Sequence, residues 1–191
     1  MSSSDLHGRL VAMARGSAWF MPALRAVREL GLPSWCIGAG AVRNLVWDAL
    51  HELPAPSALA DIDVAHFDAS TLSPARDAEL QSKLATILPG APWEVTNQAA
   101  AHLWFESHFG HAVPPLGSLV EAVGTWPEYA TCVGLTLEAD DSIAVIAPHG
   151  LEDLFGLVVR RNPARVSVAT YQRRVEQKRY AERWPKVRVV P

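Results

Sequence analysis

These 191 residues predict an α/β or α+β fold, on three observations. Apolar residues fall into helical stripes and short strand-like runs that alternate along the chain. Hydrophobic residues make up 49% and charged residues only 19%, enough apolar material for a core of ordinary domain size. The 14 prolines and 12 glycines stand mostly at joints, with no internal repeat and no low-complexity stretch. Collagen, coiled coil and disorder are thereby excluded, and a single domain over residues 1–191 is expected.

In order along the chain, residues 6–17 read as a helix. Pro22 suits the first turn of a second helix, which carries Leu24, Val27 and Leu30 and closes at Gly31 and Pro33. Trp35-Cys36-Ile37 is a short apolar strand running into Gly38-Ala39-Gly40. Val42, Leu45, Val46, Ala49 and Leu50 then mark one face of a helix, leaving Arg43, Asn44, Trp47 and Asp48 on the other. A Pro-rich loop over 53–59 leads to a second strand over 61–67, where Asp61 and Asp63 alternate with Ile62 and Val64. Ser73-Pro74 opens a helix with core positions Leu80, Leu84, Ile87 and Leu88, stopped by Pro89-Gly90, and residues 92–96 form a third strand. Further on, helices are expected at 97–106 and 116–123, a hairpin over 131–147 turning at Asp140-Asp141, a short helix over 150–157 and a basic helix from about 167 to 183. The core is expected at about 31–106 and a C-terminal elaboration at about 107–191.

Seventeen Lys and Arg against twenty Asp and Glu give a net charge of −3, which excludes a chain that coats nucleic acid or membrane by bulk charge. The balance is divided, however. Residues 1–155 hold 7 basic and 18 acidic side chains, whereas residues 156–191 hold 10 and 2. An acidic body carries a basic tail, and that tail is a candidate wall for a phosphate site in the body. Cys36 and Cys132 stand singly in apolar stretches, so free buried thiols in a reducing cytoplasm are expected. There is no leader pattern and no apolar run near 18 residues, so neither export nor membrane spanning is expected.

Two features carry chemistry. Asp61 and Asp63, at i and i+2 of a strand, project to one face about 6.5–7 Å apart, a spacing suited to divalent metal, while Ile62 and Val64 point into the core. Glu94, between Trp93 and Val95 on the next strand, is a candidate third carboxylate whose register the sequence leaves open. The second feature is Gly38-Ala39-Gly40 leading into a helix N-terminus, where free amides and the helix dipole favour phosphate. Arg43 and Asn44 in the first turn are placed to reach a triphosphate or a sugar hydroxyl.

Gly38-Ala39-Gly40-Ala41-Val42-Arg43-Asn44 followed by Asp61-Ile62-Asp63-Val64 resembles the signature of the DNA polymerase β-type nucleotidyltransferase superfamily. The Gly-Ala-Val-Arg run is similar to that of CCA-adding enzymes and bacterial poly(A) polymerases. From about residue 31 to 185 the chain resembles a family of small bacterial nucleotidyltransferase-like proteins. The motifs that carry this are Trp93–Asn97 with Gln98, His102-Leu103-Trp104-Phe105, Thr125-Trp126-Pro127, Gly150–Phe155, Asn162-Pro163 and Arg183-Trp184-Pro185. The resemblance implies a mixed sheet flanked by helices, with an extra C-terminal hairpin and basic helix. It implies metal-dependent transfer of a nucleoside monophosphate from a nucleoside triphosphate to an unidentified acceptor, with pyrophosphate released. Asp61, Asp63 and Glu94 would then be the catalytic, Mg²⁺-binding carboxylates (Mn²⁺ being an alternative), and Gly38, Gly40, Arg43 and Asn44 the nucleotide contacts. Ala41 stands where the superfamily commonly has Ser, and Asn44 where CCA-adding enzymes usually carry Asp. The chain is also shorter than enzymes with long tRNA-binding helical regions. The alternative reading is a catalytically silent nucleotide-binding or interaction module on the same fold.

Other features weigh less. His102, His108 and His111 with Glu106 fit no common zinc spacing. Trp47 shares a helix face with Arg43, and packing is the favoured reading for it over contact with a base. In the tail, Arg173, Arg174, Lys178, Arg179, Arg183, Lys186 and Arg188 are interleaved with Tyr171, Tyr180 and Trp184. That mix suits RNA contact, and a basic helix docked on the acidic body explains it about as well.

Overall fold

The computed structural model describes residues 3–190. Two N-terminal helices, α1 (Ser3–Gly16) and α2 (Phe20–Arg28), precede strand β1 (Trp35–Gly38), which runs without a loop into helix α3 (Ala39–Leu50). Strand β2 (Ile62–His66), helix α4 (Pro74–Ile87) and strand β3 (Trp93–Asn97) follow. The short helices α5 (Ala101–Phe109) and α6 (Leu119–Gly124) lead to the hairpin β4 (Gly134–Leu137) and β5 (Ile143–Ile146). The tail comprises α7 (Glu152–Phe155), β6 (Val158–Val159), α8 (Val168–Lys178), α9 (Tyr180–Arg183) and β7 (Arg188–Val189). No helix among the described residues is long and apolar enough to cross a membrane.

The local signals act as read. Ser73 caps α4 by accepting from the Ala75 amide, with Pro74 at the first helical position. Ile87 departs from its expected core role and is 37% exposed, because Leu80 and Leu84 already cover the helix's contact with the sheet. The basic stretch 167–183, expected as one helix, is two: Arg179 sits at φ 49° and ψ 48° and turns the chain between α8 and α9. The break swings Tyr180 and Trp184 back onto Trp47, at ring-centroid distances of 5.9 and 5.2 Å. The parallel pair β6 and β7, which no sequence signal announced, ties the chain's end to the body.

Five strands form one mixed sheet in the order β3-β2-β1-β4-β5. Within this sheet only β2 and β3 are parallel; β1 is antiparallel to both β2 and β4, and β4 to β5. The C-terminal hairpin thus extends the same sheet, which draws strands from both the 31–106 and the 107–191 stretches. One face, with Ile37, Ile62, Val64, Val95 and Leu135, packs on the helices in the main core, joined by Tyr171, Tyr180 and Trp184 of the tail. The other face carries Cys36 and Ala65 under a small cluster with Leu119, Val123 and Trp126. Cys36 and Cys132 are free and buried, and burial pushes both thiols up. The candidate acids Asp63 and Glu94 lie on this second face.

Candidate active site

Asp61, Asp63 and Glu94 come together at one end of that face. The parallel register pairs Asp63 with Glu94 and Ile62 with Trp93, so the acids share a face while their neighbours enter the core. The register that the sequence left open therefore puts Glu94 beside Asp63. Crowding has an electrostatic signature: burial, then the Asp61 and Glu94 charges, raise Asp63 to about 6, while the Gly40 amide and Lys178 pull it down.

Gly40 stands over this group. A methyl group placed there would lie 3.6 Å from Arg43 Nη2, 3.9 Å from Asp61 Oδ1 and 4.0 Å from Asp63 Oδ2. The glycine therefore leaves open the space between the guanidinium and the carboxylates. Gly40, Arg43, Asn44, Asp61, Asp63 and Glu94 all line one cleft of about 210 Å³. Gly38 does not line it. Its absent side chain makes room for Trp126, whose ring carbons would stand 2.5 and 2.6 Å from a methyl at Gly38. Ala41, too, packs in the main core, away from the cleft.

Arg43 is more enclosed than a solvent-facing helix position would be, at 4% exposure. Its guanidinium lies 5.3 Å from the ring centroids of Tyr180 and Trp184 and 5.7 Å from that of Trp47, a three-ring box of cation–π contacts. Burial lowers its pKa, and its Nε has no hydrogen-bond partner among the described residues. Nη2 donates to Asn44 Oδ1 at 2.8 Å; Asn44 Nδ2 donates to Ser57 Oγ, and Ser57 to Asp48, which also accepts from Trp184 Nε1. Asn44 is thus the link that orients Arg43. Trp47 donates its indole N–H to the Leu154 carbonyl and packs as expected.

The opposite wall comes from the basic tail: Arg174, Lys178 and Arg183 line the same cleft. Tyr171, Tyr180 and Trp184 are 2%, 2% and 0% exposed, so their rings are held in the core, out of reach of stacking bases. Sequence reading missed the anchor of this wall. Glu128, 1% exposed, accepts from Arg174, from Tyr180 Oη at 3.3 Å and from Thr131 Oγ1 at 3.1 Å. The one available signal was that a basic helix over an acidic body needs a buried acid to receive it.

The nucleotidyltransferase family pattern matches residues 25–189. The chain belongs to the nucleotidyltransferase family. A solved solution structure that reveals a CCA-adding enzyme head domain superimposes with a TM-score of 0.80 at 30% identity, covering 95% of this chain and 94% of that one. A CCA-adding enzyme in complex with CTP matches at a TM-score of 0.55 and 15% identity, and a tRNA-processing enzyme at 0.51 and 17%. Those two share the fold, and this chain, wholly covered, spans 44% and 45% of their lengths. Among curated proteins none matches the sequence.

For a nucleotidyltransferase, the question is whether these acids fit a divalent metal. Among the described residues no three His, Cys, Asp or Glu side chains form a ready metal cage. What the cleft offers is hard oxygen donors, Asp61 Oδ1 and Asp63 Oδ2 among them, both about 4 Å from the point that a methyl group on Gly40 would occupy. That donor set fits Mg²⁺, which takes one or two carboxylates and completes its shell with water and substrate phosphate oxygens.

Proposed function

We propose that this nucleotidyltransferase moves a nucleoside monophosphate from a nucleoside triphosphate to a hydroxyl-bearing acceptor and releases pyrophosphate. The observation that carries the reading is the meeting in one cleft of Asp61, Asp63 and Glu94 with Gly40, Arg43, Lys178 and Arg183. Carboxylates alone repel a triphosphate, and cations alone do not select a reacting phosphorus; the cleft sets one against the other. Asp61 and Asp63 would hold Mg²⁺ or Mn²⁺, which would supply charge neutralisation for the triphosphate and for the departing pyrophosphate, while Glu94, expected as a third ligand, forms no three-carboxylate cage with them among the described residues.

The chain's own groups do the rest. Gly40 lets phosphate approach the backbone, and Arg43, oriented in its ring box by Asn44, presents fixed N–H donors to it. Lys178 and Arg183 face the charge that develops on the leaving group. The acceptor oxygen forms a bond to the α-phosphorus while the bond from that phosphorus to the bridging oxygen breaks, and pyrophosphate leaves with the electron pair. The acceptor proton passes to a Glu94 carboxylate oxygen and on to solvent. Gly38 acts through shape, seating Trp126. RNA contact through the tail would draw on Arg173, Arg179 and Arg188, which are exposed, rather than on the cations that face the cleft. The free buried cysteines support a cytoplasmic setting.

The test is pyrophosphate release from each of the four nucleoside triphosphates with Mg²⁺, water serving as default acceptor, together with equilibrium nucleotide binding. Asp61→Asn and Asp63→Asn are expected to lower release at least 100-fold. Release and Mg²⁺-dependent binding unchanged by both substitutions would overturn the reading, and binding without release in any acceptor screen would leave a silent nucleotide-binding module in its place.

A further inference from the structure

A second cavity, of about 190 Å³, adjoins the first. The two share Asp63, Glu94, Ala39, Pro127 and Arg174, so the paired carboxylates form the partition between them. The pleat explains the arrangement. Asp61, Asp63 and Ala65 share one face of the β2 chain at two-residue steps, and Glu94 and Thr96 lie beside Asp63 and Ala65 in register. Asp61 faces the first cleft only, Asp63 faces both, and Ala65, the next step, lines the second. Its methyl group leaves space where another acid would fill it.

The walls differ in kind. Lys178, Arg183 and Arg43 line the first cleft and not the second. In the second the only cation is Arg174, whose charge is already taken up by Glu128. Apart from Asp63 and Glu94 the rest of the lining is uncharged, with the Trp126 ring, the Thr96 hydroxyl and the Gln98 amide, and neither of these last two side chains hydrogen-bonds within the chain among the described residues. With Asp63 and Glu94 in its wall and Arg174 paired to Glu128, this cavity disfavours an anion. Its volume, about 190 Å³, is enough for one ring, with any larger part of a ligand reaching past its mouth. A ring with an apolar C–H face and a hydroxyl rim matches an indole face flanked by an amide and a hydroxyl.

We infer that the second cavity holds the acceptor, and that the acceptor is a ring-sized polyhydroxyl compound without negative charge. This rests on the transfer reading above, which puts the triphosphate in the first cleft. In-line displacement then requires the attacking oxygen on the side of the carboxylates away from the leaving group, and this cavity shares Asp63 and Glu94 with the first cleft but not Lys178 or Arg183. Trp126 stacks on the ring, and Gln98 and Thr96 hydrogen-bond its rim and direct one hydroxyl toward Glu94. That hydroxyl loses its proton to Glu94, its oxygen bonds to the α-phosphorus, and pyrophosphate departs toward Lys178 and Arg183.

The experiment uses the full chain with Mg²⁺ and a non-hydrolysable triphosphate analogue, titrated with D-glucose, D-ribose and myo-inositol and followed by saturation-transfer NMR and the Trp126 indole N–H signal. Glucose 6-phosphate and a short oligoribonucleotide serve as charged competitors. At least one neutral probe is expected to bind and to shift the Trp126 signal. Gln98→Leu and Trp126→Phe are expected to weaken that binding at least 10-fold while changing analogue affinity less than 3-fold. Neutral probes that bind both variants as tightly as the wild type would overturn the assignment. So would analogue binding with no neutral probe bound, or a tighter fit for the phosphorylated sugar or the RNA end. Absence of analogue binding by the wild type would be a different failure, that of the transfer reading itself.

Discussion

Arg174 donates from Nε and Nη2 to the two carboxylate oxygens of Glu128, at 2.9 and 3.3 Å, across 46 residues of chain. Burial works against the Arg174 charge, but the Glu128 bonds outweigh it and raise its pKa. The pair joins the tail to the loop before β4 and sets Arg174 between the two cavities. Removing one charge leaves the other partly buried without compensation. Glu128→Gln is therefore expected to destabilise the fold by on the order of 2–4 kcal/mol. Urea unfolding measures it, and Glu128→Gln with Arg174→Met should recover part of the loss; an additive double variant would show that the two do not interact.

Asp63 titrates at about 6 instead of 3.8 because burial and the Asp61 and Glu94 charges disfavour its ionised form. A carboxyl with a raised folded pKa favours folding when protonated; that contribution is complete below about pH 4 and is lost as pH rises through 6. In the metal-free protein, Asp63→Asn is expected to be more stable than the wild type by on the order of 1–3 kcal/mol at about pH 7.5. The advantage should vanish toward about pH 4. Denaturant midpoints at several pH values in a chelator check it, and a pH-independent difference would contradict the assignment.

Gly38→Ala puts a methyl group onto the Trp126 ring, with contacts near 2.5 Å, and close to the Val133 carbonyl. Backbone on one side and a rigid indole on the other leave little room to yield. A loss of about 1–3 kcal/mol is expected, with a changed Trp126 indole signal. Gly40→Ala meets only ordinary contact distances and should fold normally, yet its methyl occupies the space between Arg43 and the acids. It is expected to weaken triphosphate binding about 10-fold without a shift in melting temperature.

Trp184 is fully buried, packs edge-on against Trp47, stacks with Arg43 and donates to Asp48. Trp184→Ala is expected to cost about 3–5 kcal/mol and to release α9 and the Arg43 guanidinium together. Amide hydrogen exchange should then speed up over residues 180–190 and in the first turns of α3, with the strands β2 and β3 unaffected.

Much of this was legible locally. Ser73-Pro74, the alternation of Asp61, Ile62, Asp63 and Val64, and the apolar-acid-apolar setting of Glu94 each specify a conformation or a face within a few residues. The helix face carrying Arg43 and Trp47 was legible as a second face, with packing favoured for Trp47, but a 3.6-residue period does not say what covers it. Trp47 is 0% exposed only because Tyr180 and Trp184, over 130 residues later, fold over it. Arg179 gave no warning of the break that brings them there, since an arginine in the left-handed region carries no composition signal. Gly38 was read as a phosphate contact; what its missing side chain makes room for is an indole that approaches from Trp126.

By itself the sequence determined the classes of its segments, the family they belong to and the identity of the acids and glycines, since backbone preference and side-chain period act over a few residues. Only the tertiary structure decided that Glu94 stands beside Asp63, that a buried Glu128 anchors the tail, and that the basic stretch faces the acidic cleft. Each depends on strand register or on contacts between distant segments. Those are set by which apolar surfaces leave water together, and no local pattern encodes them.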